Sequence, residues 1–206
     1  MTQLLQEQKE EENLKDVECF VCAITSHGNS KGILGVDEEA TTVLDIINMF
    51  DRDNCHELSD KPKLFLFDMC RGGKQEDVPK HATDVTDSTD AMFPPMKSDI
   101  FVAYSTSHDY MSFCHPNFGS WFCRSFVKVV SENAYRYSIS DMMLMVNRMV
   151  GTFNSKNGSR QSAQFNCSMR KHFFFSPQTS GEVKKNAVDE QKMSQPIHEV
   201  TSQQMS

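Results

Sequence analysis

Residues 61–73 read Lys-Pro-Lys-Leu-Phe-Leu-Phe-Asp-Met-Cys-Arg-Gly-Gly, and this stretch decides the fold. Leu64-Phe65-Leu66-Phe67 is an unbroken apolar run of strand length, with Pro62 before it and Gly72-Gly73 after it. A run without alternation marks a strand buried on both faces of a parallel sheet. The glycines place Cys70 in the loop leaving the strand's carboxyl end, where open α/β sheets carry their working residues. Arg71 follows directly, and a cation beside a thiol lowers its pKa and favours the nucleophilic thiolate. The plain alternative for any single thiol after a strand is a buried, inert cysteine. The residues upstream decide between the two.

Residues 17–25 (VECFVCAIT) form the first convincing strand, rich in β-branched and aromatic residues. It ends in Ser26-His27-Gly28, and residues 33–36 (ILGV) read as a short hairpin strand. Residues 41–50 carry Val43, Ile46, Ile47 and Phe50 at three- and four-residue spacing, the pattern of an amphipathic helix. Strand, helix, strand makes a βαβ unit with a parallel pair and a right-handed crossover. His27 and Cys70 then emerge at the same sheet edge. A histidine there can take the thiol's proton or assist a leaving amine. The amides of Gly28 and Cys70 are candidates to bind an oxyanion. Taken alone, His27 would read as a polar loop residue.

Downstream, residues 74–99 hold prolines, threonines and acids with almost no apolar periodicity, and read as a loop or linker. Residues 100–105 (IFVAYS) are a second buried strand. Gly119-Ser120-Trp121 opens a helix running to residue 133, with Phe122, Phe126, Val129 and Val130 on one face. A further helix over 138–153 is lined by Met142, Met145, Val146, Met149 and Val150, a methionine stripe that reads as core packing. Residues 170–176 (RKHFFFS) read as the last strand, stopped by Pro177. The polar segments 1–16 and 178–206 read as a frayed helix or disorder and as a disordered tail.

The chain has 206 residues, enough for one domain with a proper core. A formal charge of −7 and a pI of about 5.5 leave no basic footprint for nucleic acid. No apolar run approaches the roughly 18 residues that cross a bilayer, so no membrane role is expected. The first fifteen residues carry neither a signal pattern nor a basic transit pattern. Seven cysteines without framework spacing suit a reducing compartment. The expectation is a soluble cytoplasmic protein, with the nucleus as the other compatible site. Cys19 and Cys22 form a lone CxxC inside a strand, facing opposite ways, so no metal or cofactor is expected from it.

Taken together, Ser26-His27-Gly28, Cys70-Arg71-Gly72, Ala103-Tyr104-Ser105-Thr106 and Gly119-Ser120-Trp121-Phe122 resemble, in order, the motifs of the caspase family of cysteine proteases. Val146-Asn147-Arg148 and Lys171-His172-Phe173-Phe174-Phe175 are similar to the family's last helix and last strand, and the tail resembles nematode caspases. The resemblance covers residues 17–177. It implies an α/β, caspase-like three-layer sandwich, a mostly parallel sheet with helices on both faces, truncated at its N-terminus. It also implies a large-subunit portion at 17–73, an intersubunit linker at 74–99 and a small-subunit portion at 100–177. His27 and Cys70 match the catalytic dyad and Gly28 the oxyanion loop.

The departures from the family matter more than the match. Family enzymes cut after aspartate because two arginines and a glutamine grip the substrate carboxylate. Asp68 stands at the glutamine's position, and Ser112-Phe113 is followed by Cys114 where an arginine belongs. The second arginine lies on a first strand-loop unit that has no counterpart in this chain. A charge-assisted hydrogen bond is worth about 1.5–3 kcal/mol, and Asp68 would repel a substrate carboxylate. Cleavage after aspartate is therefore not expected. Asp68 either inverts the pocket toward lysine or arginine, as in paracaspases and metacaspases, or marks a pocket released from catalysis. The missing first strand would leave the strand at residue 17 as an open edge for another chain.

Two DxxD sequences in the linker, ending at Asp87 and Asp90, are sites of the kind that executioner-type caspases cut. An acidic loop kept for solubility explains the same residues. The favoured expectation is a catalytically impaired regulator of apoptosis that binds an active caspase or its zymogen through Phe173, Phe174 and Phe175 and inhibits activation. A homodimer is a further possible assembly. The alternative is an active cysteine endopeptidase using Cys70 and His27, and a poorly folded truncated product is the third.

Overall fold

The structure, a computed structural model, describes residues 1–10, 12–75 and 98–175. In chain order its elements are α1 (Thr2–Lys9), β1 (Phe20–Thr25), β2 (Gly28–Asn29), β3 (Gly32–Leu34), β4 (Ala40–Thr41) and α2 (Val43–Met49). There follow β5 (Lys63–Asp68), β6 (Ile100–Tyr104), β7 (Cys114–His115), β8 (Gly119–Ser120), α3 (Trp121–Asn133), α4 (Ile139–Val150) and β9 (Gln164–Cys167).

The apolar run after Pro62 becomes β5, and every one of its residues is buried. It lies in the middle of a four-stranded sheet of order β1-β5-β6-β9. β5 runs parallel to β1 and to β6, and β9 returns antiparallel to β6. Alternate residues of the two central strands feed two separate cores. Phe65, Phe67, Ile100, Val102 and Tyr104 face α2, meeting Ile46 and Phe50. Leu64, Leu66, Phe101 and Ala103 face α3 and α4, meeting Phe122, Val129, Met142, Val146 and Val150. Helices on both faces of a mostly parallel sheet explain why β5 and β6 carry no polar alternation. Of the expected methionine stripe of α4, Met142 is fully buried while Met145 and Met149 pack half-buried against this core, and Met143, outside the stripe, is buried with them.

Helix starts follow local chemistry. Thr42 caps α2, accepting from the Asp45 amide at 3.1 Å while donating to Asp45 Oδ2 at 2.7 Å. Ser138 does the same for α4 with Asp141, and Ser120 accepts from the amides of Phe122 and Cys123 to start α3. Each cap satisfies amides that the first helical turn leaves without partners.

One strand is displaced from its expected place. Residues 170–175 contain no strand; the last strand of the described residues is β9, six residues earlier. β9 has little strand propensity, yet Phe165 stacks on Phe101 at 5.4 Å and Gln164 reaches Arg71, so tertiary contacts override the local preference. Arg170 is instead an anchor, its guanidinium bonded to both Asp99 oxygens and to Asp60 at 3.2 Å. Phe173 and Phe175 pack on the α3–α4 core, and the Phe173 carbonyl accepts the Ile139 amide. Phe174 alone of the three is exposed, at 52 %.

β1 is an outer strand of the central sheet among the described residues. Cys22 turns inward while Val21, Ala23 and Thr25 are exposed. The 1–16 segment forms α1, no residue of which is buried, followed by a short turn that buries Leu14.

Candidate active site

The register of β1 on β5 pairs Thr25 with Asp68. His27 and Cys70 each lie two residues further on, so the two chains leave the sheet level with one another. The Ser26 amide donates to the Asp68 carbonyl at 3.2 Å and carries the pairing one residue beyond the strands. Gly28 then lies against the backbone of the cysteine loop. A Cβ at Gly28 would stand 2.5 Å from the Cys70 carbonyl oxygen and 3.0 Å from Met69 Cβ, so only glycine permits this approach. The hairpin β2–β3 holds the histidine turn, with the Leu34 amide donating to the His27 carbonyl at 2.9 Å and Ser26 Oγ donating to the Leu34 carbonyl at 2.8 Å.

The chain beyond the linker supplies the other wall. The Ser112 amide donates to Cys70 Sγ at 3.3 Å, and the half-buried thiol faces the Ser112 carbonyl at 3.7 Å. Residues 71–74 are zipped to residues 109–111 by four backbone hydrogen bonds: Arg71 N to Tyr110 O, Asp109 N to Arg71 O, Lys74 N to Asp109 O and Met111 N to Lys74 O. Lys74 and Asp109 add a 3.0 Å ion pair at the surface. Two buried polar residues brace this arrangement: Ser105, from the Ala103–Thr106 motif, and Gln161, which the sequence does not single out. Ser105 Oγ accepts from the Met69 amide and donates to the Met69 carbonyl, both at 3.1 Å. Gln161 donates to the Ser105 carbonyl at 2.6 Å and accepts from the Phe113 amide at 2.7 Å. Gln161 has no local pattern to announce it, and the bracing roles of both residues exist only once β6, the 112–114 loop and the 159–163 segment converge.

Arg71 has a different role from the one its place beside Cys70 suggests. It is buried, and its Nη1 donates to the Thr106 carbonyl at 3.2 Å and to Gln164 Oε1 at 2.7 Å. The guanidinium lies 4.0 Å over the Tyr104 ring. Burial lowers its pKa, against the pull of Tyr104 and Asp109. Its charge is committed to tying the cysteine loop to β6 and β9, which replaces the expected thiol-activating role.

Of the residues expected to form a specificity pocket, Asp68 and Ser112 are brought into contact. Asp68 is 5 % exposed. Ser112 Oγ donates to its Oδ1 at 3.1 Å, and Cys123 Sγ donates to its Oδ2 at 3.0 Å. Burial first, and the Asp68 carboxylate second, push the Cys123 thiol up to about 12, so it stays protonated and donating. Cys123 has no place in the sequence reading of the pocket. Phe113 stacks on Trp121 with ring centroids 4.9 Å apart, forming an aromatic wall. Cys114 is exposed. No lysine, arginine or histidine pairs with Asp68 among the described residues.

Asp87 and Asp90 lie outside the described residues, as does the tail over 178–206. Among the described residues no three His, Cys, Asp or Glu side chains are placed to hold a metal ion, and no helix is long and apolar enough to cross a membrane.

The comparisons with known proteins agree with one another. The family model described as "Caspase domain" matches residues 1–174. Caspase-7 of Gallus gallus is 36% identical over 156 residues, which is 73% of this chain and 50% of that protein. Caspase-3 of Mesocricetus auratus is 32% identical over 133 residues, 65% of this chain and 48% of that protein. The chain thus spans about half the length of these relatives. The crystal structure of Caspase-1 from Spodoptera frugiperda superposes with a TM-score of 0.73 at 21% identity, covering 87% of this chain and 71% of that one, and so shares the fold. With the sheet, the paired loops and these matches in agreement, the chain belongs to the caspase family.

Proposed function

We propose that this chain is a caspase-like regulator of apoptosis that does not cleave after aspartate, and that it binds an active caspase or its zymogen and restrains activation. The observation that carries the reading is Asp68: a buried carboxylate bonded only to the neutral donors Ser112 and Cys123, with Cys114 beyond them in place of an arginine. An acidic substrate residue meets repulsion there instead of a charge-assisted grip. The partner contact is proposed at the small-subunit end, where β9 is an outer strand among the described residues, an edge suited to strand addition, and Phe174, further along the chain, is exposed. Phe173 and Phe175 support that surface from the core side. The test is co-purification with a caspase zymogen and the rate of the zymogen's autoprocessing with and without this chain. Slower autoprocessing with a recovered complex supports the proposal; no association and an unchanged rate defeat it.

A second reading, an active cysteine endopeptidase, is favoured by one observation. The Thr25–Asp68 register brings His27 and Cys70 out of adjacent parallel strands at one level, with Gly28 against the Cys70 carbonyl. In that reading the imidazole accepts the Cys70 thiol proton, the thiolate attacks a peptide carbonyl, and the protonated imidazole returns the proton to the leaving amine. Turnover of a peptide library that disappears in Cys70→Ala would establish it.

A further inference from the structure

We infer that the outer face of α4 binds a second copy of this chain, helix against helix in antiparallel order, so that two molecules pair about a two-fold axis. The inference stands apart from the β9 edge and from any activity at Cys70. Helical spacing sets the face. Tyr137, Asp141, Met145 and Arg148 recur at four- and three-residue steps, with Leu144 beside them, on the side of α4 turned away from its buried residues Met142, Val146 and Val150. The same five residues line one open hollow of about 430 Å³. Leu144 is 61 % exposed there, while Tyr137 and Met145 are half-buried against the α3–α4 core.

Two opposite charges stand on this face, and both have capacity left. Arg148 is exposed and has no hydrogen-bond or ion-pair partner among the described residues. Asp141 accepts from Ser138 Oγ at 2.6 Å through Oδ2, which leaves Oδ1 open among the described residues. An acid in the first turn and a base in the last turn of α4 also suit the helix dipole, but the dipole gives no account of Leu144 between them. The midpoint between Asp141 and Arg148 falls between Leu144 and Met145. Turned about an axis through that midpoint, a second α4 sets each Asp141 against the other copy's Arg148, and each Leu144 against the other copy's Met145. Two ion pairs then flank an apolar centre, as a polar rim flanks an interface core. A parallel pair would oppose like charges at both ends, so charge selects the antiparallel order. This self-complementarity makes a second copy the occupant.

The experiment is sedimentation velocity of the full chain over a concentration series. The expected result is a monomer–dimer equilibrium. Arg148→Glu opposes like charges at both ends and should raise the dimer dissociation constant about 10-fold or more. Leu144→Gln should raise it by a similar factor by removing the apolar centre. Both positions are exposed, so the fold is retained, and thermal melts check this. A chain carrying Asp141→Arg together with Arg148→Asp reverses every pair, and should dimerise with itself near the wild-type constant while failing to pair with the wild-type chain. A wild-type chain that stays monomeric across the series overturns the inference. So does a dimer that Arg148→Glu and Leu144→Gln leave unchanged, since it would use another face, and so does a folded swap variant that stays monomeric. The swap loses the Ser138–Asp141 hydrogen bond; where that variant does not fold, the two single variants decide.

Discussion

Replacing Gln161 with leucine removes a brace between the sheet and the pocket wall at nearly constant volume. The side chain is 1 % exposed, and its two hydrogen bonds end on backbone groups, the Ser105 carbonyl at 2.6 Å and the Phe113 amide at 2.7 Å. Leucine offers neither group a partner. A stranded buried donor or acceptor costs about 1–3 kcal/mol, so the pair comes to about 2–4 kcal/mol after partial relaxation, well outside the roughly 0.5 kcal/mol of ordinary surface changes. Trp121 is the chain's single tryptophan and stacks on Phe113, so its emission during urea unfolding reports on this wall. With a urea slope of about 2 kcal/mol per molar, the midpoint should fall by about 1–2 M. Hydrogen exchange at the Phe113 amide should also accelerate. Gln161→Glu separates the two bonds: its carboxylate still accepts from Phe113 but opposes the Ser105 carbonyl. That variant should lose stability at neutral pH while protecting the Phe113 amide. A leucine variant within about 0.5 kcal/mol of wild type, with unchanged exchange at Phe113, would refute the reasoning.

Gly28→Ala puts a methyl group 2.5 Å from the Cys70 carbonyl oxygen. It should cost about 1–3 kcal/mol, as overpacking does, and should alter the rate of Cys70 alkylation, read by thermal melts and mass spectrometry. The Asp99 carboxyl is held below the usual carboxylate range, chiefly by its side-chain hydrogen bond from Arg170. A depressed folded pKa stabilises above the unfolded value of about 4 and is lost as pH falls through the folded value. The melting-temperature difference between wild type and Arg170→Gln should therefore be full at neutral pH and close below about pH 4. Burial pushes Cys22 to about 11, and burial with Asp68 pushes Cys123 to about 12. Iodoacetamide at pH 8 should therefore modify the exposed Cys114 and spare both, as read by peptide mapping.

The elements legible in the chain were those whose evidence is local. β5 and β6 have continuous apolar runs because both their faces are covered, and α2, α3 and α4 show helical spacing because only one face is. The parallel βαβ step then placed His27, Gly28 and Cys70 at one edge without further information. β9 was misplaced because Gln164-Phe165-Asn166-Cys167 is a strand by virtue of what it touches, while the more apolar 173–175 run is spent on packing against α3 and α4. Arg71 was misjudged for the same reason. Sequence adjacency put its charge next to the thiol, but a long side chain goes where its five donors find acceptors, and those lie on Thr106 and Gln164.

Asp68 belongs to the scaffold through its backbone and to the site through its side chain. It is the last residue of β5, so its backbone belongs to the sheet: it pairs with Thr25, and its carbonyl accepts the Ser26 amide. Those interactions do not depend on the side chain. The side chain reports only to the pocket, where Cys123 and Ser112 meet it with neutral donors. Burial first and the Asp68 carboxylate second hold the Cys123 thiol protonated, so it remains a donor to that carboxylate. Asp68→Asn should therefore lower the Cys123 pKa in part, with burial still holding it above the ordinary thiol value. A Cys123 that resisted alkylation equally in both proteins would show burial alone to govern it, and would remove the coupling from the account of the pocket.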